Sequence, residues 1–257
     1  MTVLALEFSS AQRSVAVLDL KEGGASPWPE KDGAMTRPRP PARIAEAIEA
    51  GAGGTNAFSL IEKALAGAGR AREQIEVIVV GVGPGSYSGI RVAISMAQGW
   101  QLAFAEPRQD AIVGGVATAW RRLAHGVKLL GVSSAECLAA QAQTEEIFGH
   151  VNVVIDAQRN EFYLASYEIS PRGWKETRPL RIVSLAEMRT QAEAGEIWVG
   201  PEVTRWWPEG KNLFPSAMTL GRLSMGRTDF VNGDKLAPIY LRETNFVKAS
   251  PPHRAGS

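Results

Sequence analysis

The stretch "VGVGPGSYSGIR" (residues 80–91) carries the residue types of a phosphate-binding loop: glycines, a proline, hydroxyls and a closing arginine. A Walker A loop reads G-x-x-x-x-G-K-[ST], because the lysine must reach the terminal phosphates. No lysine lies between Lys63 and Lys128. The dinucleotide pattern G-x-G-x-x-G also fails, since its last position falls on Ser86 or Ser88. The residues fit a joint between a strand and a helix instead. Pro84 fixes one φ angle, and Gly83 and Gly85 allow angles that a Cβ forbids. Ser86 or Ser88 can cap the helix, and Arg91 closes its first turn. We read Gly83, Pro84, Gly85, Ser86, Ser88 and Arg91 as a structural loop; an anion at the helix N-terminus is the alternative.

Other chemistry finds little to work with. His125, His150 and His253 are far apart in sequence, so neither an H-x-x-x-H metal pair nor an H-E-x-x-H peptidase motif exists. No catalytic residue and no metal ligand is assigned, and nothing marks a Ser-His-Asp triad. Two acids, Glu7 and Asp156, end matched strands and are expected to be structural, satisfied by turn N–H groups or an arginine. Cys137 lies in the apolar run "AECLAAQA" and reads as a small core residue.

The elements that must position these residues are legible in part. "TVLALEF", "SSAQR" and "SVAVLDL" form a strand, a turn and a strand, a hairpin that opens a sheet. Residues 22–41 are dense in proline and glycine and read as an irregular loop. "AFSLIEKALAGAG" is a helix with Phe58, Ile61 and Leu65 on one face, capped by Thr55 or Asn56 and stopped by Gly67 or Gly69. "IEVIVVGVG" is a buried strand. The helix starting at Gly89 carries small residues at Gly89, Ala93 and Ala97, with Val92, Met96 and Gly99 on the adjacent stripe. Small residues in a row make a groove for a closely approaching helix. Either this chain or another one fills it; we take it to face another chain.

The pattern then repeats. "VNVVIDAQRNEFYLASYEI" (151–169) is again strand, turn and strand, with Asp156 where the first unit has Glu7. "EIWVGPEV" echoes "EVIVVGVGPGS". The order of elements predicts a duplication and two α/β lobes across a cleft, the plan of the actin-like ATPase fold. The first lobe is expected over 1–105 plus about 217–257, and the second over 106–216. An insertion is expected at about 106–126, with a short amphipathic helix around Trp120.

Composition sets wider bounds. The chain has 257 residues, 45% of them hydrophobic, and a formal net charge of +1. That charge argues against a broad basic nucleic-acid surface. Arg37, Arg39, Arg43, Arg121 and Arg122 read as solvated surface, and Trp206-Trp207-Pro208 as a packed pair in preference to a base-stacking one. A single cysteine suits a reducing compartment, and no apolar stretch is long enough for a membrane helix, so the expected location is cytoplasmic.

The blocks "VLALEFSSAQRSVAVL", "GVGPGSYSGIRVAISMAQGWQLA", "LLGVSSAECLAAQA", "IDAQRNEFYLASYE" and "PIYLRE" stand in the order of a known family. The chain resembles the TsaB (YeaZ) family over nearly its whole length. The resemblance implies the two-lobed actin-like (ASKHA, ribonuclease H-like) fold with duplicated mixed-sheet units. It implies a non-catalytic subunit in making threonylcarbamoyladenosine at position 37 of tRNAs that read ANN codons. The partners it implies are a TsaD-like protein and a TsaE-like ATPase, with a homodimer as a further pairing and tRNA reached indirectly. No cofactor is assigned to this chain, and ATP or ADP would sit at a complex interface. The family's pairing surface lies on the two first-lobe helices, here Phe58, Ile61, Leu65, Gly89, Val92, Ala93, Met96 and Ala97. The alternative is a free-standing nucleotide-binding enzyme of the same fold. Glu7-Phe8-Ser9 replaces the Asp-Thr-Ser of many relatives and makes nucleotide contact at that turn weaker. The histidine many relatives carry before the first helix is also missing from "AGAGGTNAF".

Overall fold

The structure, a computed structural model, describes residues 1–20, 44–51, 56–104, 126–190 and 195–241. The expected irregular loop over 22–41, nearly all of the insertion at 106–126, the five surface arginines above, Thr55, His125 and His253 lie outside the described residues.

β1 (Thr2–Glu7) and β2 (Gln12–Asp19) pair antiparallel, with Glu7 opposite Ser14. β3 (Ile44–Ala50) extends the sheet antiparallel to β2. α1 (Ala57–Ala68) then leads to β4 (Val77–Gly81), which returns parallel to β1. α2 (Tyr87–Ala103) precedes β5 (Lys128–Val132), parallel to β4. The sheet order is β3-β2-β1-β4-β5. After α3 (Ser134–Thr144) the second unit begins with β6 (Gly149–Asp156), β7 (Glu161–Ser170) and β8 (Gly173–Ser184). It closes with α4 (Leu185–Thr190), β9 (Ile197–Gly200) and the two-residue β10 (Lys211–Asn212). α5 (Ala217–Leu223) follows. The second sheet, read from β8, is β8-β7-β6-β9-β10. Each of its strands has the same neighbours and the same relative directions as its counterpart in the first sheet. The duplication expected from the paired hairpins is therefore a duplication of whole sheets.

The expected lobe boundary needs one correction. Residues 128–132 fall in the range assigned to the second lobe, yet β5 hydrogen-bonds to β4 and completes the first sheet. The apolar run "KLLGV" signals a strand, but nothing in it says which sheet it joins.

Both faces of β1 and β4 are buried, and alternation sends successive side chains to opposite cores. Leu4, Leu6 and Phe8 point to the core under α1 and α2, while Val3 and Ala5 point to the core under α5. α3 joins the two lobes: Cys137 and Ala140 pack into the α5-side core, and Leu138 and Ala142 into the core of the second sheet. Cys137 is buried and free, as expected of a core residue. No helix among the described residues is long and apolar enough to cross a membrane.

Candidate functional site

The glycine loop is held by its own chain. The Ser86 N–H donates to the Ser9 carbonyl at 2.7 Å, and the Gly83 carbonyl accepts from the Ser134 N–H at 2.8 Å. The Val82 N–H donates to the Val132 carbonyl, and the Val82 carbonyl accepts from the Ile239 N–H. Polar backbone groups used in this way are not offered to an anion. Gly85 has a φ of +147°, and a Cβ there would lie 2.2 Å from the Ser9 carbonyl oxygen. Ser86 caps α2, its hydroxyl accepting from the Gly89 N–H at 3.4 Å; Ser88 is exposed. Pro84 follows Gly83 through a cis peptide and is buried. Arg91 reaches outward. Its guanidinium lies 4.3 Å from the centre of the Tyr87 ring, and its Nε donates to the Tyr240 hydroxyl at 3.1 Å.

The two acids have different surroundings. Glu7 is fully buried. One carboxyl oxygen accepts from the Ser9 N–H at 2.7 Å, and the other has no hydrogen-bond partner. That second oxygen lies where a Cβ on Gly81 would stand, 2.0 Å away, so Gly81 makes room for it. Burial pushes the Glu7 carboxyl up to about 7, against smaller opposing contributions from the Ser9 hydrogen bonds. Asp156 is half-buried and accepts from the Gln158 N–H at 2.7 Å and from the Gln158 amide at 3.2 Å. Turn N–H groups serve both acids, and no arginine among the described residues bonds to either.

The small-residue row faces inward, which corrects the expectation that it meets another chain. Ala93 and Ala97 are fully buried in the core shared with β1 and β4. A Cβ on Gly89 would lie 2.0 Å from the Phe8 carbonyl oxygen. The backbone that requires small residues is the end of this chain's own first strand. Ile61 and Leu65 on α1 are buried in the same core. Of the expected interface, Phe58 is 73% exposed and Val92 39%, and Met96 is half-buried. Tyr87 at 58% and Leu102 at 78% extend this apolar face.

Between the lobes opens a cleft of about 1180 Å³. The two hairpin turns, at Ser9–Ala11 and Asp156–Arg159, lie in it, and the start of α2 forms a wall with Trp206, Phe214 and Tyr240. Gln158, Arg159 and Asn160 all have positive φ, which turns the β6–β7 hairpin tightly. Sequence reasoning found the two turns but missed Arg13, Tyr163, Phe214 and Tyr240. Alternation along β2 and β7 could have flagged the first two; only the folded topology brings the others in. Trp206 and Trp207 are packed, against Phe162 and Trp198 respectively, and Trp206 also lines the cleft. His150 pairs with Glu168 on the surface. Among the described residues no group of three or more His, Cys, Asp and Glu could hold a metal ion.

Two duplicated mixed sheets around a cleft define a two-lobed actin-like fold, and two solved structures share it. "YeaZ from Pseudomonas aeruginosa" superposes with a TM-score of 0.67 at 21% identity, over 93% of this chain and 99% of that one. A second, "an uncharacterized protein with similarity to peptidase YEAZ from Pseudomonas aeruginosa", gives 0.66 at 22% identity, over 94% and 99%. The chain is 27% identical over 213 residues to the tRNA threonylcarbamoyladenosine biosynthesis protein TsaB of Escherichia coli (strain K12), covering 75% of this chain and 81% of that protein. The family described as TsaD, tRNA N6-adenosine threonylcarbamoyltransferase, matches residues 54–108, the segment from α1 to just past α2. This chain is thus similar in sequence to the TsaB protein and in fold to the two YeaZ structures.

Proposed function

We propose that this chain is a non-catalytic subunit in the biosynthesis of threonylcarbamoyladenosine on tRNA, acting by pairing with a TsaD-like protein and so admitting a TsaE-like ATPase. One observation carries the reading: the segment that resembles TsaD is the same segment that bears the exposed apolar face. Two proteins that share this helix pair can join their outer faces about a pseudo-two-fold axis, as identical subunits do in a dimer. Phe58, Tyr87, Val92 and Leu102 would then be covered by the partner's equivalent helices. A homodimer would use the same face and compete. ATP or ADP would lodge at the complex interface, tRNA would reach the site of modification on the partner, and the whole would work in the cytoplasm. The alternative, a free-standing nucleotide-dependent enzyme, is disfavoured by Glu7, whose carboxylate is turned into the core and does not line the cleft.

The test is Phe58→Glu combined with Leu102→Glu. Both side chains are exposed, so the fold should keep its stability to within about 0.5 kcal/mol. Affinity for the TsaD-like protein, read by calorimetry, should fall at least about tenfold, because two charges would be buried unpaired. Unchanged affinity would place the pairing surface elsewhere.

A further inference from the structure

We propose that the interlobe cleft takes single-stranded RNA, with nucleotides of a tRNA loop as its ligand; this rests on the tRNA-modification reading above. Three arginines line the cleft and come from both lobes: Arg13 on β2, Arg91 on α2 and Arg159 in the β6–β7 turn. No lysine lines it. A guanidinium binds phosphate through a planar fork and also stacks on bases, which suits a flexible strand with alternating phosphates and rings. Arg159 is exposed at the centre of its turn and forms no ion pair among the described residues. Arg91 already lies over one aromatic ring and is tied to a second.

Aromatic platforms stand beside these charges. Tyr163, Trp206 and Tyr240 line the same cleft, and Trp206 is anchored edge-on by Phe162, with ring centres 5.0 Å apart. Sequence-tolerant recognition of single strands combines such rings with a local run of positive charge. Asp156, Glu161 and Glu202 line the cleft too; Glu202 pairs with Arg205, and Arg13 lies 3.9 Å from Glu49, so Arg91 and Arg159 are the cleft arginines with no acidic partner among the described residues.

A free nucleoside triphosphate fits these features less well. The Val82 and Ser86 N–H groups of the glycine loop bond to this chain's own carbonyls, and Glu7 is buried and does not line the cleft.

The experiment is fluorescence anisotropy of a labelled single-stranded RNA of about twelve nucleotides, titrated with the purified full chain. The variants are Arg159→Asn, Arg91→Gln and Tyr163→Ala, each checked for fold by circular dichroism. Asparagine tolerates the positive φ at 159 and removes only the charge. The wild type should bind at low salt. Each variant should bind about tenfold more weakly, the measure of one lost stacking or charged contact. The slope of log affinity against log salt should fall by about 0.7 for each arginine removed. Magnesium-ATP should not displace the RNA. No binding by the wild type, equal binding by Arg159→Asn and Arg91→Gln, or displacement by ATP would each overturn the proposal. Modification assays on the same preparations keep the two ideas apart. A chain that supports threonylcarbamoyladenosine formation but ignores RNA sinks the cleft proposal alone. A chain that binds RNA through Arg159 while modification proceeds equally without it supports the cleft and sinks the subunit reading.

Discussion

At the scale of single residues, Glu7 makes the sharpest claim. Its carboxyl is buried with one oxygen unpartnered, and its folded pKa of about 7 lies above the ordinary 4.5. A group whose pKa is raised on folding stabilises the fold fully below its unfolded pKa and loses that contribution as pH rises through the folded value. The wild type should therefore weaken on going from about pH 5 to about pH 8, by roughly 2.5 kcal/mol relative to Glu7→Gln. Urea denaturation of both proteins at the two pH values checks this, and parallel curves would show that Glu7 stays charged and solvated. The sequence revealed that Glu7 ends a strand but not its depth, because burial depends on Gly81, far away in the chain, leaving space above it. Asp156 was readable in full: an acid before a turn accepts from the turn's own N–H groups.

At the scale of elements, the joint between β4 and α2 depends on Gly85. A valine there must adopt a φ of +147° and meet the Ser9 carbonyl. Gly85→Val should cost about 1–3 kcal/mol from backbone strain alone, seen as a fall of several degrees in thermal midpoint. An unchanged midpoint would mean that the loop is free to relax and is not a fixed joint. The caps and stops of α1 and α2 were legible because they are local: Asn56 accepts from the Ser59 N–H, Gly69 ends α1 in the left-handed region, and Ser86 caps α2. The direction of the Gly89-Ala93-Ala97 row was not legible. Spacing says that some backbone comes close, and only the packed β1 end says whose. β3 was missed for a related reason. "IAEAIEA" is rich in alanine and glutamate, which favour a helix, and pairing with β2 overrides that preference.

At the scale of the whole molecule, two sheets of the same order are joined by α3, with exposed apolar side chains on α1 and α2 and a cleft between the lobes. The sequence disclosed the duplication through its paired hairpins, while β5 and β10 carried too little pattern to be placed. The proposed subunit role works through a partner. The most direct measurement is threonylcarbamoyladenosine formation on tRNA by TsaD-, TsaC- and TsaE-like proteins, with this chain present, absent, or alone. Our account predicts product with the chain present, a large loss without it, and none from the chain alone. Equal product without the chain, or magnesium-dependent ATP turnover by the isolated chain that Glu7→Ala abolishes, would contradict it.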